Sequence, residues 1–188
     1  MGQKTDGIFA RGTLFMEKGN YEQALRLFNQ VLNREPAYNE ALKNKVLIYI
    51  DKKDKDSIQE VLESALSIIP QDDELQYIAG SYYVNINSFN KGKKHLQKSV
   101  SINSENTMAQ YSLGLVSANQ DRNYKKAIAY FSKAIEQDPN FSKAHFSRGC
   151  SYLMIGETDL ACKDLKEAHK LGHPDSQNIM AEYCTGKN

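Results

Sequence analysis

The chain is 188 residues long, 40% apolar and 25% charged, with a net charge of +1, a balance ordinary for a globular chain of one or two domains. It carries no electrostatic footprint for nucleic acid or an anionic membrane, and 19 lysines against 5 arginines disfavour bidentate phosphate recognition further. Its apolar runs, such as residues 46–50, fall far short of the roughly 20 residues that a membrane span needs.

The opening Met1-Gly2-Gln3-Lys4 lacks the apolar core of a leader. Location stays open between the cytoplasm and, if a leader has been removed ahead of Gln3, the periplasm. Further on, Ala24, Leu25, Leu27, Phe28, Val31 and Leu32 recur at the i, i+3, i+4, i+7 steps of a helix face. Ile58, Val61, Leu62, Ala65 and Leu66 repeat that stripe, and Leu96, Val100 and Ile102 make a thinner one. It returns at Ala127, Ile128, Phe131, Ala134 and Ile135, then at Ala161, Leu165 and Ala168. Pro36, Pro70, Pro139 and Pro174 each mark a helix end. These signals predict first helices near 5–18, 39–51, 73–85, 107–119 and 142–155, and second helices near 21–34, 55–68, 89–102, 124–137 and 158–171. Pro174 and Asp175 open a last helix near 175–184. The turns carry Gly19-Asn20, Asp54, Ser88, Asp121 and Gly156, and Gly172 stands where a left-handed cap belongs.

Residues 123–140 repeat the pattern of residues 20–37, and self-similarity at a fixed period is the mark of a repeat architecture. Counted from Thr5, Asn39, Asp73, Thr107 and Ser142, position 8 is Gly12, Val46, Gly80, Gly114 and Gly149. Position 11 is Phe15, Tyr49, Tyr83, Ser117 and Tyr152, and position 20 is Ala24, Ile58, Gly92, Ala127 and Ala161, with Ala127 one residue late. Position 24 is Phe28, Leu62, Leu96, Phe131 and Leu165, and position 27 is Val31, Ala65, Ser99, Ala134 and Ala168. This pattern resembles the tetratricopeptide repeat (TPR), a helix–turn–helix unit of about 34 residues. Val46, Ser117, Ile58, Ser99 and Ser104 depart from it, and the fourth unit has an extra residue near 121–123. The resemblance implies an all-α, right-handed TPR superhelix (an α-solenoid) in a single domain over 1–188. Its units would be 5–38, 39–72, 73–106, 107–141 and 142–174, followed by a capping helix over 175–184 whose outer face carries Gln177, Glu182 and Lys187.

Little in the chain points to catalysis. There is no glycine-rich phosphate loop, and Gly149-Cys150-Ser151 falls inside an expected helix rather than on a nucleophile turn. Asp72-Asp73-Glu74 sit at a helix start, which the helix dipole favours. His169 and His173 have a ligand-like spacing near Asp175, but Gly172 and Pro174 break the helix between or beside them. Lys52, Lys53 and Lys55 alternate with Asp51, Asp54 and Asp56 as a solvated turn, while Lys91, Lys93 and Lys94 form a basic spot too small for a nucleic-acid footprint. Asn140-Phe141-Ser142 fits a glycosylation pattern of low specificity. No enzyme activity, cofactor or metal is expected.

What the family resemblance implies is a surface. First helices would line a concave groove, with positions 2, 5, 9 and 13 facing it. Position 5 is Phe9, Lys43, Tyr77, Tyr111 and Phe146, and position 9 is Thr13, Leu47, Ser81, Leu115 and Cys150. Two readings of the aromatics stay open: exposed binding anchors, or extra core against neighbouring helices. Positions 2 and 13 place Asp6, Glu17, Glu40, Asp51 and Glu74 toward the N-terminal end and Met108, Asn119, Lys143 and Met154 beyond it. The expected ligand has basic residues at one end and apolar side chains at the other. The Lys/Asn clamp with which chaperone-binding members hold a carboxylate is not expected, since in the first register Phe9, Thr13, Glu74 and Ile78 occupy its positions and only Asn44 fits. The expected function is binding of a peptide or partner protein. Alternatives are a homo-oligomeric scaffold and a regulatory subunit of an envelope or secretion assembly. The ending, with Ala161-Cys162-Lys163-Asp164-Leu165 and Glu182-Tyr183-Cys184, resembles that of bacterial, Bacteroidetes-type TPR proteins. On that resemblance Cys162 faces Cys184, and a disulfide closing about 22 residues would add roughly 3 kcal/mol and imply an oxidising compartment. The default reading of an odd cysteine count is that Cys150, Cys162 and Cys184 are three free thiols.

Overall fold

Every regular element follows from an apolar stripe bounded by a turn that a particular residue type stabilises. The computed structural model describes residues 2–184, without the side chains of Gln3, Lys55 and Asp56; Lys187 lies outside the described residues. All the described elements are helices: α1 Gly2–Glu17, α2 Tyr21–Arg34, α3 Asn39–Asp51, α4 Lys55–Ile68, α5 Asp73–Asn85, α6 Phe89–Ile102, α7 Thr107–Asn119, α8 Tyr124–Gln137, α9 Ser142–Leu153, α10 Thr158–Lys170 and α11 Ser176–Tyr183. Most boundaries fall within a residue or two of those expected. α9 stops two residues early, where the backbone tightens as the Gly156 amide reaches the Leu153 carbonyl.

Within each helix pair the turn has one recurring geometry. A left-handed residue ends the first helix: Gly19 (φ 72°), Lys53 (54°), Asn87 (62°), Arg122 (49°) and Gly156 (80°). Three of the second helices then start on a side-chain cap. Asn20 accepts from the Gln23 amide at 3.3 Å, Asp54 from Ser57 at 3.2 Å and Asn123 from Lys126 at 3.1 Å, satisfying amides that have no partner inside the helix.

The turns between pairs have their own device, which lies on the first helix that follows. Gln76 Nε2 donates to the Pro70 carbonyl at 2.9 Å, Gln110 Nε2 to Ser104 at 3.0 Å, and His145 Nε2 to Pro139 at 3.0 Å. Each bond reaches back six residues, and all three side chains are buried. A buried carbonyl left unpaired would cost about 1–3 kcal/mol, so these side chains fix where the chain leaves one helix and enters the next.

The core is made of the small and large apolar residues at fixed register. Positions 8, 20, 24 and 27 are buried throughout, from Gly12, Ala24, Phe28 and Val31 to Gly149, Ala161, Leu165 and Ala168. Contacts divide the chain into two compact units, Met1–Tyr82 and Tyr83–Asn188. In the first, α1 packs on α2, α2 on α3 and α3 on α4. In the second, each helix from α6 to α11 packs on the next.

Candidate interaction surface

In the first unit the expected site residues lie on α1 (Phe9, Thr13), α3 (Lys43, Leu47) and α5 (Tyr77, Ser81). Phe9 is half-buried, with its ring 5.7 Å from Phe28 and 5.1 Å from Tyr38. The Tyr38 hydroxyl donates to Asp6 at 3.2 Å. Lys43 stands in the same register as Phe9 and Asp72 in that of Tyr38, and here an ion pair of 3.6 Å replaces the ring contact; Lys43 also bonds Glu74. Burial works against the Lys43 charge, but the hydrogen bond to Glu74 and the charges of Asp72, Glu74 and Glu40 outweigh it and raise its pKa. Lys43 is therefore engaged with its own chain. Thr13 donates back to the Phe9 carbonyl at 3.2 Å. Leu47 is exposed, whereas Tyr77 and Ser81 are half-buried.

A cavity of about 580 Å³ opens between α1 and α3. Met16, Leu47, Ile48 and Ile50 give it an apolar lining, and Glu17 and Asp51 bring two carboxylates to it. Tyr21 donates its hydroxyl to Asp51 there.

In the second unit Tyr111 and Leu115 lie on α7, and Phe146 and Cys150 on α9. Tyr111 is half-buried against Phe131 at 5.6 Å and Phe141 at 4.8 Å, and its hydroxyl is 3.4 Å from Ser147 Oγ. Phe146 stacks on His173 at 4.0 Å, nearly parallel. Phe9, Tyr111 and Phe146 are thus half-buried, each packed against another ring of the chain while part of its surface stays accessible. Cys150 is half-buried, and burial pushes its thiol pKa up, so at neutral pH it is an uncharged wall rather than a nucleophile. A cavity of about 570 Å³ lies at the same register as the one in the first unit, lined by α7, the turn after it, α8 and α9. Its charged lining residue is Arg122, and Met154 at its edge is 60% exposed.

Sequence reasoning missed a buried polar cluster behind this surface. Arg148 makes two bonds to Asp164, at 2.6 and 2.7 Å, and a third to Ser132 at 2.9 Å. His145 Nδ1 lies 3.5 Å from the same carboxylate. The paired bonds to Asp164 raise the Arg148 pKa although burial opposes them. A lone Arg and Asp sixteen residues apart give no helical pairing signal, so only packing brings them together. Helix α10 ends at Lys170, and Gly172 takes φ 82°, which separates His169 from His173. Among the described residues, no group of three or more His, Cys, Asp or Glu side chains is placed to hold a metal. Cys162 and Cys184 are joined as a disulfide, with Cα atoms 5.7 Å apart, which ties α11 to α10.

Family models for the tetratricopeptide repeat match residues 15–82, 79–142 and 130–163. The chain belongs to the tetratricopeptide repeat family. Its all-α solenoid fold matches that of solved members. A crystal structure of MamA is 28% identical, with a TM-score of 0.72 over 92% of this chain and 97% of that one. The pilF protein of Pseudomonas aeruginosa is 16% identical, with a TM-score of 0.84 over 95% of this chain and 81% of its own. YrrB, described as a TPR protein with an unusual peptide-binding site, is 21% identical, with a TM-score of 0.71 over 93% and 90%. At those identities pilF and YrrB show the fold alone. Among curated proteins, anaphase-promoting complex subunit 3 of Schizosaccharomyces pombe is 19% identical over 165 residues, 88% of this chain and 24% of that protein. The BBSome complex member BBS4 of Bos taurus is 26% identical over 153 residues, 79% of this chain and 28% of that protein. The TPR chain thus spans about a quarter of the length of the curated relatives it matches.

Proposed function

We propose that this TPR chain is a non-enzymatic interaction module that binds a peptide or partner-protein segment on the faces of its first helices. The observation that carries this reading is the pair of cavities at one register, between α1 and α3 and between α7 and α9. Phe28 and Phe131, on second helices, are fully buried core, while at the cavities Leu47 on α3 and Met154, just past α9, stay exposed. Large apolar side chains left in solvent beside a cavity are what a binding surface presents. Relatives named as members of the anaphase-promoting complex and the BBSome support a role in assembly.

The division into five units over 5–38, 39–72, 73–106, 107–141 and 142–174, with a cap over 175–184, belongs to the same proposal. So do the site residues Phe9, Thr13, Lys43, Leu47, Tyr77, Ser81, Tyr111, Leu115, Phe146 and Cys150. In the first unit, Glu17 and Asp51 favour a ligand that brings basic residues to an apolar floor. The disulfide on α11 fits a chain that works in an oxidising compartment.

The test is to pan a random peptide display library on the immobilised protein. Selected peptides should bind the parent, and Leu47→Asp or Leu115→Asp should weaken them. A library that enriches no peptide, or peptides indifferent to both substitutions, would count against this reading.

A further inference from the structure

The second cavity lies where α7 departs from the repeat. Position 11 carries Phe15, Tyr49, Tyr83 and Tyr152 in four units but Ser117 in the fourth. Position 12 carries Met16, Ile50, Val84 and Leu153, but Ala118 in the fourth. Two adjacent large side chains are thus missing from α7, in the unit that also has an extra residue in its turn. The cavity of about 570 Å³ passes Ala118 and reaches Phe131, a residue with no exposed surface of its own. That volume lies within the roughly 300–1,000 Å³ of small-ligand sites. The Ser117 hydroxyl is buried with no hydrogen-bond partner, so polar bonding within the chain does not account for a serine here.

Charge gives the opening a sign. The extra residue of the turn places Arg122 on the wall, in a left-handed conformation. The carboxylate next to it, Asp121, is taken by Lys93. No acidic residue lines the cavity, and the register positions that carry Glu17 and Asp51 in the first unit here carry Asn119 and Met154. The units differ in the same sense: residues 1–82 have 10 basic and 13 acidic side chains, a net −3, whereas residues 83–188 have 14 and 10, a net +4.

We infer that this cavity takes an aromatic side chain from an acidic peptide segment. The ring enters past Ala118 toward Phe131, with Phe146 and Met154 beside it, and flanking carboxylates meet Arg122. Ring and thioether neighbours suit an aromatic guest. The assignment rests on the interaction-module reading and makes it specific for the second unit.

Isothermal titration of the full chain with three capped peptides tests it: Glu-Asp-Phe-Asp-Glu, its Phe→Ala counterpart, and Lys-Lys-Phe-Lys-Lys. The acidic Phe peptide should bind roughly tenfold or more tightly than the Ala version, and more tightly than the lysine version. Ala118→Leu, which installs the type of side chain that α9 already carries at Leu153, should abolish that preference while far-UV circular dichroism stays unchanged. Arg122→Asp should weaken the acidic peptide several-fold, with the loss shrinking as salt rises. Cys150 supplies a readout on the parent itself: at alkaline pH, where part of the thiol ionises, saturating acidic peptide should slow its alkylation by iodoacetamide.

Equal binding of the lysine peptide, no binding of the acidic Phe peptide, unchanged titration of Ala118→Leu, or undiminished Cys150 alkylation would each overturn the assignment. Concentration-dependent dimers lost in Ala118→Leu would overturn it too, since the occupant would then be a second copy of the chain. If display-selected peptides bind but ignore Ala118→Leu, this assignment falls and the module reading stands; if none bind, the module reading itself falls.

Discussion

Gly12→Ala puts the packing of the first unit under direct strain. A Cβ at Gly12 would lie 2.7 and 2.9 Å from the Cε1 and Cδ1 atoms of Phe28. The ring has no exposed surface. It belongs to a cluster with Ala24, Val31, Ala41 and Ile48, and Phe9 lies 5.7 Å away, so it cannot swing clear without moving a neighbour. Overpacking of this kind costs about 1–3 kcal/mol, and an enclosed aromatic ring belongs at the upper end. Replacing a helical glycine by alanine gives back about 1 kcal/mol, leaving a net loss of about 2 kcal/mol. For a chain of this size that is a fall in Tm of about 4–8 °C, read by circular dichroism at 222 nm. Gly7, on the same helix, is the internal control: nothing lies within 4 Å of its Cβ position, so Gly7→Ala should raise Tm by about 2–4 °C. In a Phe28→Leu background, Gly12→Ala should cost less than in the parent, because the contact it creates is gone. A Gly12→Ala protein melting at or above the parent would refute the claim that this helix pair is held at the distance a glycine allows.

Other outcomes follow from the same structure. Thiol titration of the unreduced, denatured chain should find one reactive cysteine, Cys150, and reduction should expose three; reduction should also destabilise the C-terminal end by about 3 kcal/mol. Three free thiols without reductant would contradict the disulfide. Burial, then the charges of Lys91 and Lys98, lower the His95 pKa below its ordinary 6.5. The unfolded chain therefore binds this proton more tightly, so stability is full above pH 6.5 and declines as pH falls through 6.5 and the folded value. Urea midpoints measured across that range should show the decline, and His95→Phe should lose that part of it. Asp164→Asn removes the partner of a half-buried guanidinium and should cost about 2–4 kcal/mol in urea unfolding; a loss under 1 kcal/mol would mean that the cluster contributes little.

The fold was legible because burial recurs at fixed spacing. Gly12 and Gly114 must be small for Phe28 and Phe131 to pack, and small and large side chains paired at that interval are what stacked helix pairs require. Turn residues were legible for the same reason, although the left-handed position after α3 and after α7 is held by Lys53 and Arg122, which carry no glycine signal. The polar contacts were not legible. Gln76, Gln110 and His145 look like ordinary helix residues until the carbonyls of Pro70, Ser104 and Pro139 come within reach. Their spacing follows the repeat, and that was the available signal. Lys43 shows the limit on the site itself. Its register suggests a ligand contact, but Asp72 and Glu74 pair with it, and only the fold brings those carboxylates there. Ser117 was visible as a departure from the pattern, yet the cavity past its neighbour Ala118 also depends on Leu115, Tyr124 and Phe146.

The central claim is that first helices bind and second helices build. Amide chemical-shift mapping of the labelled protein with a display-selected peptide tests it most directly. The account predicts shifts gathered on the first helices, on α1 and α3 or on α7 and α9 around the cavity rims, with α2 and α8 unmoved apart from the cavity-lining Tyr21, Tyr124 and Phe131. Shifts gathered on α2, α4, α8 and α10 would contradict it.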